Sequence, residues 1–230
     1  MWSWIISEFE HLSAKLNIDI LFLTCAICFY YWRRLSLAFK WLTGYLVFNL
    51  FIEIGAHLMS HDGNNLPLLH LYTLGEFWLW SFFFRTVLGK DSWLWKNFVP
   101  FTVAVTCLVV ANSLFLQPIW GFNSHAKTLV QLVIIVYALV FAFHYTEYQL
   151  RQSTSYKSLR FVNALILMYY CSTLFIFMSS GFWKADDLAT EILVDINRWL
   201  NTLFLVLVLF SIWKVTRFLH NSSSSQVSVS

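Results

Sequence analysis

From residue 127 to residue 143 the chain reads KTLVQLVIIVYALVFAF, and after Lys127 and Thr128 its one polar interruption is Gln131. About 20 apolar residues in a helix match the roughly 30 Å hydrocarbon thickness of a bilayer, so 125–148 reads as a membrane-crossing helix. Working outward, runs of the same character occupy 17–33, 37–60, 69–88 and 97–116 before it, and 160–182 and 191–216 after it. The expected fold is all-α: a polytopic bundle of seven transmembrane helices. Composition agrees, since 59% of the 230 residues are hydrophobic and 12% are charged, far from soluble usage. No soluble catalytic domain fits in what remains.

The runs are separated by what hydrocarbon rejects: Trp32-Arg33-Arg34, HDGNN at 61–65, GKDS at 89–92, Gln117-Pro118 with Gly121, RQSTSYK at 151–157 and GFWKADD at 181–187. Alternate connections carry the cations. Arg33, Arg34, Lys40, Arg85, Lys90, Lys96, Arg151, Lys157, Arg160, Lys214 and Arg217 fall on one side, and Lys15, Lys127, Lys184 and Arg198 on the other. The positive-inside rule then puts the N-terminus outside and the C-terminus in the cytoplasm. Trp32, Trp41, Trp93, Trp95 and Trp213 mark the inner aromatic belt, and Trp120, Trp183 and Trp199 the outer one. Cations spread in this way also argue against a nucleic-acid partner.

Ahead of the first span, 1–16 places Trp2, Ile5, Phe9, Leu12 and Leu16 at helical spacing and reads as an interfacial amphipathic helix. The membrane domain then covers 17–218, and 219–230, ending NSSSSQVSVS, reads as a disordered cytoplasmic tail. Cys25, Cys28, Cys107 and Cys171 all lie in apolar runs, which suits packing better than a disulfide or a thiolate metal site.

Polar residues within spans are costly unless paired or facing a wet interior. Glu53 lies about seven residues before the end of the second span and Glu76 about seven after the start of the third, so both are expected at equal depth. Helical spacing groups Glu53 with His57, Thr73 with His70 and Glu76, Lys127 with Gln131, and Arg198 with Asn201. With Tyr72 and Asp195 these residues outline a polar chamber open to the outside. A purely structural ionic lock would use the same charges.

Among seven-helix families, a retinal protein would need a deep lysine in the last helix, where Lys214 stands near the end. A sugar-efflux transporter would need proline hinges, and Pro67, Pro100 and Pro118 all sit at helix boundaries. Zinc-dependent lipid amidases place histidines in the first and last helices; His57, His61 and His70 do not follow that arrangement. The stretches LYTLGEF at 71–77, Phe122-Asn123-Ser124 followed by Lys127, and 197–201 resemble small seven-helix membrane proteins of Bacteroidota type. That resemblance implies a bacterial envelope setting and no particular activity, and the expected location is the inner membrane.

The function expected from these residues is a non-enzymatic membrane module. It would sense or bind a small ligand or ion at Glu53, His57, Tyr72, Thr73, Glu76, Lys127, Gln131, Asp195, Arg198 and Asn201, or act as the membrane subunit of an assembly. No metal or cofactor is expected, and a signal would leave through a protein partner. The alternatives are an intramembrane lipid hydrolase that uses the same carboxylates, with or without metal, and a small-solute transporter.

Overall fold

The computed structural model describes residues 2–60, 64–90, 92–144, 154–179 and 188–227. Its helices are α1 (Trp2–Tyr30), α2 (Leu37–Ser60), α3 (Leu66–Leu88), the single-turn α4 (Trp93–Lys96), α5 (Phe98–Ala111), α6 (Ser124–His144), α7 (Thr154–Ser179) and α8 (Leu188–Val227). A π-helical turn, Asn112–Leu116, extends α5. Among the described residues there is no strand.

Local chemistry sets several ends. Asn64 Oδ1 accepts from the Leu66 N–H at 2.9 Å, and a proline stands in the first turn of α3, where its missing donor costs nothing. Gly89 closes α3 with φ of 75°, a left-handed backbone that favours glycine. Ser92 caps α4 by accepting from the Trp95 N–H.

Packing runs α1 to α2, α2 to α3, α3 to α6, α6 to α7, α7 to α8, and α8 back to α1, which closes a ring of six helices. α5 lies outside this ring against α3 and α6. Five helices are long and apolar enough to cross a membrane: Leu37–Met59, Phe98–Leu116, Ser124–Phe143, Lys157–Met178 and Asp195–Arg217. Their apolar side chains largely face outward, with 22% of the α5 window and at most 44% of any other buried inside the protein. Water would not tolerate so much exposed apolar surface. The chain is a multi-pass helical membrane protein.

α3 differs from those five. It carries His70, Glu76 and Arg85, but Thr73, Glu76, Phe77, Trp80, Ser81, Phe83 and Phe84 are buried in protein, so its polar groups meet side chains instead of lipid.

Two segment boundaries depart from the sequence reading. α1 is continuous from Trp2 to Tyr30, so the amphipathic segment 1–16 and the first apolar run form one helix; no glycine or proline interrupts them. The segment 219–230, expected to be structureless, is helical as far as Val227. Extending a helix already nucleated is far easier than starting one, and each serine costs only about 0.5 kcal/mol there.

Candidate functional site

The most polar point of the interior belongs to α3. Tyr72, Glu76 and Trp80 follow one another at four-residue spacing and share a face. Glu76 is fully buried and Lys127, in the first turn of α6, is 3% exposed; the two form an ion pair. Lys127 Nζ occupies the Glu76 Oε2 side. Glu76 Oε1 accepts from Tyr72 Oη at 2.9 Å and from Tyr170 Oη at 2.7 Å. Trp80 Nε1 donates to Tyr170 Oη at 2.6 Å. Tyr72 directs its one O–H at Glu76, so Tyr45 is the donor in the 3.3 Å contact between the Tyr45 and Tyr72 hydroxyls. The ammonium also lies 4.3 Å from the Tyr72 ring centroid and 5.6 Å from that of Phe177, where the ring faces favour a cation.

Gly75 makes this arrangement possible. A Cβ there would come within 2.3 Å of Phe48 Cζ, so only glycine admits the Phe48 ring, which stacks on Tyr72 at 6.3 Å and 2°.

The connection from α5 to α6 folds beside the pair. Asn112, where the π turn begins, donates through Nδ2 to Gln117 Oε1 at 3.1 Å and Asn123 Oδ1 at 3.0 Å. Asn123 Nδ2 reaches Thr73 Oγ1 at 3.3 Å. Gln117 Nε2 donates to Ser124 Oγ at 2.9 Å, while its Oε1 also takes the His125 N–H at 3.0 Å. His70 Nε2 lies 3.2 Å from the Gly121 carbonyl, an acceptor only, so the proton belongs on Nε2. Nδ1 lies 2.8 Å from Ser113 Oγ, whose hydroxyl is also 3.2 Å from the Val109 carbonyl. π turns are rare and collect where side chains must be re-aimed; this one turns Asn112 into the network.

Glu53 sits differently. The expectation of equal depth fails, because the α2–α3 register sets Gly44 against Leu79, Gly55 against Leu68 and Phe48 against Gly75. Glu53 is therefore level with His70, and Glu76 with Val47. The offset is six residues, about 9 Å along the axis. Glu53 is half-buried and makes no hydrogen bond or close ion pair with a described residue, although it lies in the field of Arg198. Asn49, one turn before it and 3% exposed, has a buried Nδ2 with no partner. Nearby, Thr202 Oγ1 donates to Asn17 Oδ1 at 2.8 Å, which joins α8 to α1.

Of the expected site residues, Tyr72, Glu76 and Lys127 meet directly, and Thr73 joins them through Asn123. Gln131 bonds Thr173 Oγ1 at 2.9 Å through Nε2 and leaves a buried Oε1 unpartnered. Asp195 and Arg198 pair with each other on α8 at 3.1 Å. His57 is exposed and Asn201 half-buried. The single chamber thus divides into a densely hydrogen-bonded centre between α3, α6 and α7 and a sparser one on α2, where Glu53 lies in the field of Arg198.

Tyr45, Trp80, Tyr170, Asn112 and Gln117 were missing from the sequence-based set. Tyr45 was within reach, lying at i−8 and i−4 from Glu53 and Asn49 on one face of a helix. Among the described residues no three His, Cys, Asp or Glu side chains gather as a metal site would require. His61 lies outside the described residues. No protein-family model matches the chain, and no curated protein or solved structure does either. The stretches 71–77 and 122–127 come together at Glu76, Lys127, Thr73 and Asn123.

Proposed function

We propose that the protein is a seven-span module of a bacterial inner membrane, with its N-terminus outside, that binds a small amine from the outer side at Glu53. α1 and α3 supply the two spans beyond the five long apolar ones. α3 is 23 residues long, about 35 Å at 1.5 Å per residue. In α1 the run from residue 17 onward is apolar.

The observation carrying this reading is the contrast between the carboxylates. Glu76 has both oxygens occupied and serves as the lock between α3, α6 and α7. Glu53 has neither oxygen occupied by a described residue, and a half-buried carboxylate is stabilised by any donor that reaches it. An ammonium group supplies that donor. The unpartnered Asn49 amide one turn away calls for an acceptor on the same ligand, so the favoured class is a zwitterion or an amino alcohol. The field of Arg198 strengthens the acceptor end.

A thermal-shift screen of amino acids, amino alcohols and simple amines on detergent-purified protein tests the site. A ligand at 100 times its Kd stabilises by about 2.7 kcal/mol. The wild type should gain melting temperature with at least one zwitterion, and Glu53→Gln should not. No shift with any of the three classes would overturn the reading. Orientation is tested separately with cysteines at Asn64 and Lys96, both exposed. An impermeant maleimide should label the first from outside intact cells and not the second.

A further inference from the structure

At the end of the bundle where α3 finishes, Arg85 has surroundings unlike those of any other cation among the described residues. Its guanidinium carbon lies 4.2 Å from the Trp95 ring centroid and 4.4 Å from that of Phe98. Trp95 comes from α4, and Phe98, 4% exposed, is the first residue of α5. Phe98 is itself fixed against Phe82 at 5.2 Å, and Phe82 is stacked on Trp41 at 4.6 Å and 13°. Two aromatic rings supported by the core thus hold the guanidinium. Its Nε is buried and has no hydrogen-bond partner, and no described acidic side chain comes within ion-pair distance. A planar guanidinium has five N–H donors in a fixed fork, and a clamp that removes its rotational freedom lowers the entropy lost when an oxyanion binds.

The surroundings point the same way. Lys90 and Lys96 flank this end on the chain, both exposed, and Lys40 stands near the start of α2 with its ammonium 5.5 Å from the Trp32 ring. Among the described residues no carboxylate occupies this end of the helices to answer them. Trp93, 62% exposed, projects from α4 beside the clamp, as a tryptophan does at the headgroup level of a bilayer.

We propose that Arg85, held between Trp95 and Phe98, is a binding site for a phosphate group, with Lys96 as an auxiliary cation. The chemistry recognised is the phosphate oxyanion, whose pair of oxygens fits the guanidinium fork. An anionic phospholipid headgroup is one source, because the site lies at the end of five apolar helices. A soluble phosphate is the other.

The test uses the full chain in nanodiscs. Native mass spectrometry after reconstitution in a phosphatidylglycerol and phosphatidylcholine mixture should show one phosphatidylglycerol retained by the wild type. Arg85→Gln should reduce that retention about tenfold. Arg85→Lys should lose most of it as well, because it keeps the charge and gives up the fork, and this variant separates the site from general attraction between cations and anionic lipid. Trp95→Leu, which loosens the clamp and leaves Arg85 in place, gives a graded loss. In pure phosphatidylcholine discs, stabilisation of the wild type by millimolar inorganic phosphate but not of Arg85→Lys would assign the site to a soluble phosphate. Equal phosphatidylglycerol retention by wild type, Arg85→Gln and Arg85→Lys, together with no response to inorganic phosphate, overturns the proposal.

Discussion

Glu76 and Glu53 are chemically identical side chains on the two arms of one helical hairpin, and the protein treats them oppositely. Around Glu76 both oxygens are engaged, one by Lys127 and the other by Tyr72 and Tyr170. The four groups come from α3, α6 and α7, so the carboxylate ties together helices far apart in sequence. Around Glu53 the neighbouring Asn49 donor is idle and the nearest organised charge, Arg198, is engaged with Asp195. The same residue type therefore fastens helices where it is surrounded by donors, and elsewhere is left without a hydrogen-bond partner among the described residues. Tyr45 lies in the field of both carboxylates, more strongly that of Glu76, and through its contact with the Tyr72 hydroxyl links the two regions.

Breaking the pair at Glu76 should produce the largest effect of any single change. Lys127→Met leaves a buried carboxylate with only its tyrosine donors, and loss of one partner of a buried pair costs about 3–5 kcal/mol. The melting temperature in detergent should fall steeply. Adding Glu76→Leu should recover much of the loss, because an apolar pair replaces a lone charge. A double mutant no more stable than Lys127→Met would show that the tyrosines and Trp80 depend on the carboxylate for their own positions. The comparison would then be between a network and a single group.

The extent of helix was legible because apolar run length is a property of the chain alone. α2 occupies 37–60 in both the sequence reading and the structure. Glu76 and Lys127 stood out for the same reason, being charges where hydrocarbon excludes them. Their pairing was not legible. It depends on α6 beginning deep, at the level where Asn123 meets Thr73, and on a π turn that no local preference of Asn112-Ser-Leu-Phe-Leu specifies. The equal depth expected of the two carboxylates failed because counting from predicted helix ends ignores register. Register is set by interdigitation, here by Phe48 lying over Gly75. Tyr170 and Trp80 escaped notice because aromatic residues make up 20% of the chain, and nothing in their spacing separates a hydrogen-bonded aromatic from a packing one.

The next largest effect should come from that register contact. Gly75→Ala drives a methyl group into the Phe48 ring, and overpacking of a tight interior costs about 1–3 kcal/mol. Phe48→Leu on the same background should restore part of the loss by clearing the space. Stability unchanged by Gly75→Ala would mean that the hairpin slides freely and that the depth offset between the carboxylates is not fixed. Tyr170→Phe should be comparable. It removes one of the two tyrosine donors from Glu76 Oε1 and strands the Trp80 indole N–H, and each unsatisfied buried group costs about 1–3 kcal/mol. Tyr72→Phe leaves the indole partnered and should cost less than Tyr170→Phe; the reverse order would place the weight of the centre on the link to Tyr45.

The smallest effect on stability and the largest on ligand response should come from Glu53→Gln. With no hydrogen bond or close ion pair to lose, the unliganded fold should change by less than about 0.5 kcal/mol, as for substitutions away from structural networks. A slight gain is equally consistent, because a neutral amide is less costly to half-bury than a carboxylate. What should vanish is stabilisation by an added zwitterion. Combined with Lys127→Met, the stability effects should add, because the closest connection between the two regions runs through tyrosine hydroxyls instead of a shared partner. Strong non-additivity would mean that Glu53 and the Glu76 centre respond as one unit through Tyr45. Ligand binding outside would then be communicated to the α3, α6 and α7 junction, and the lock would become the moving part of the protein.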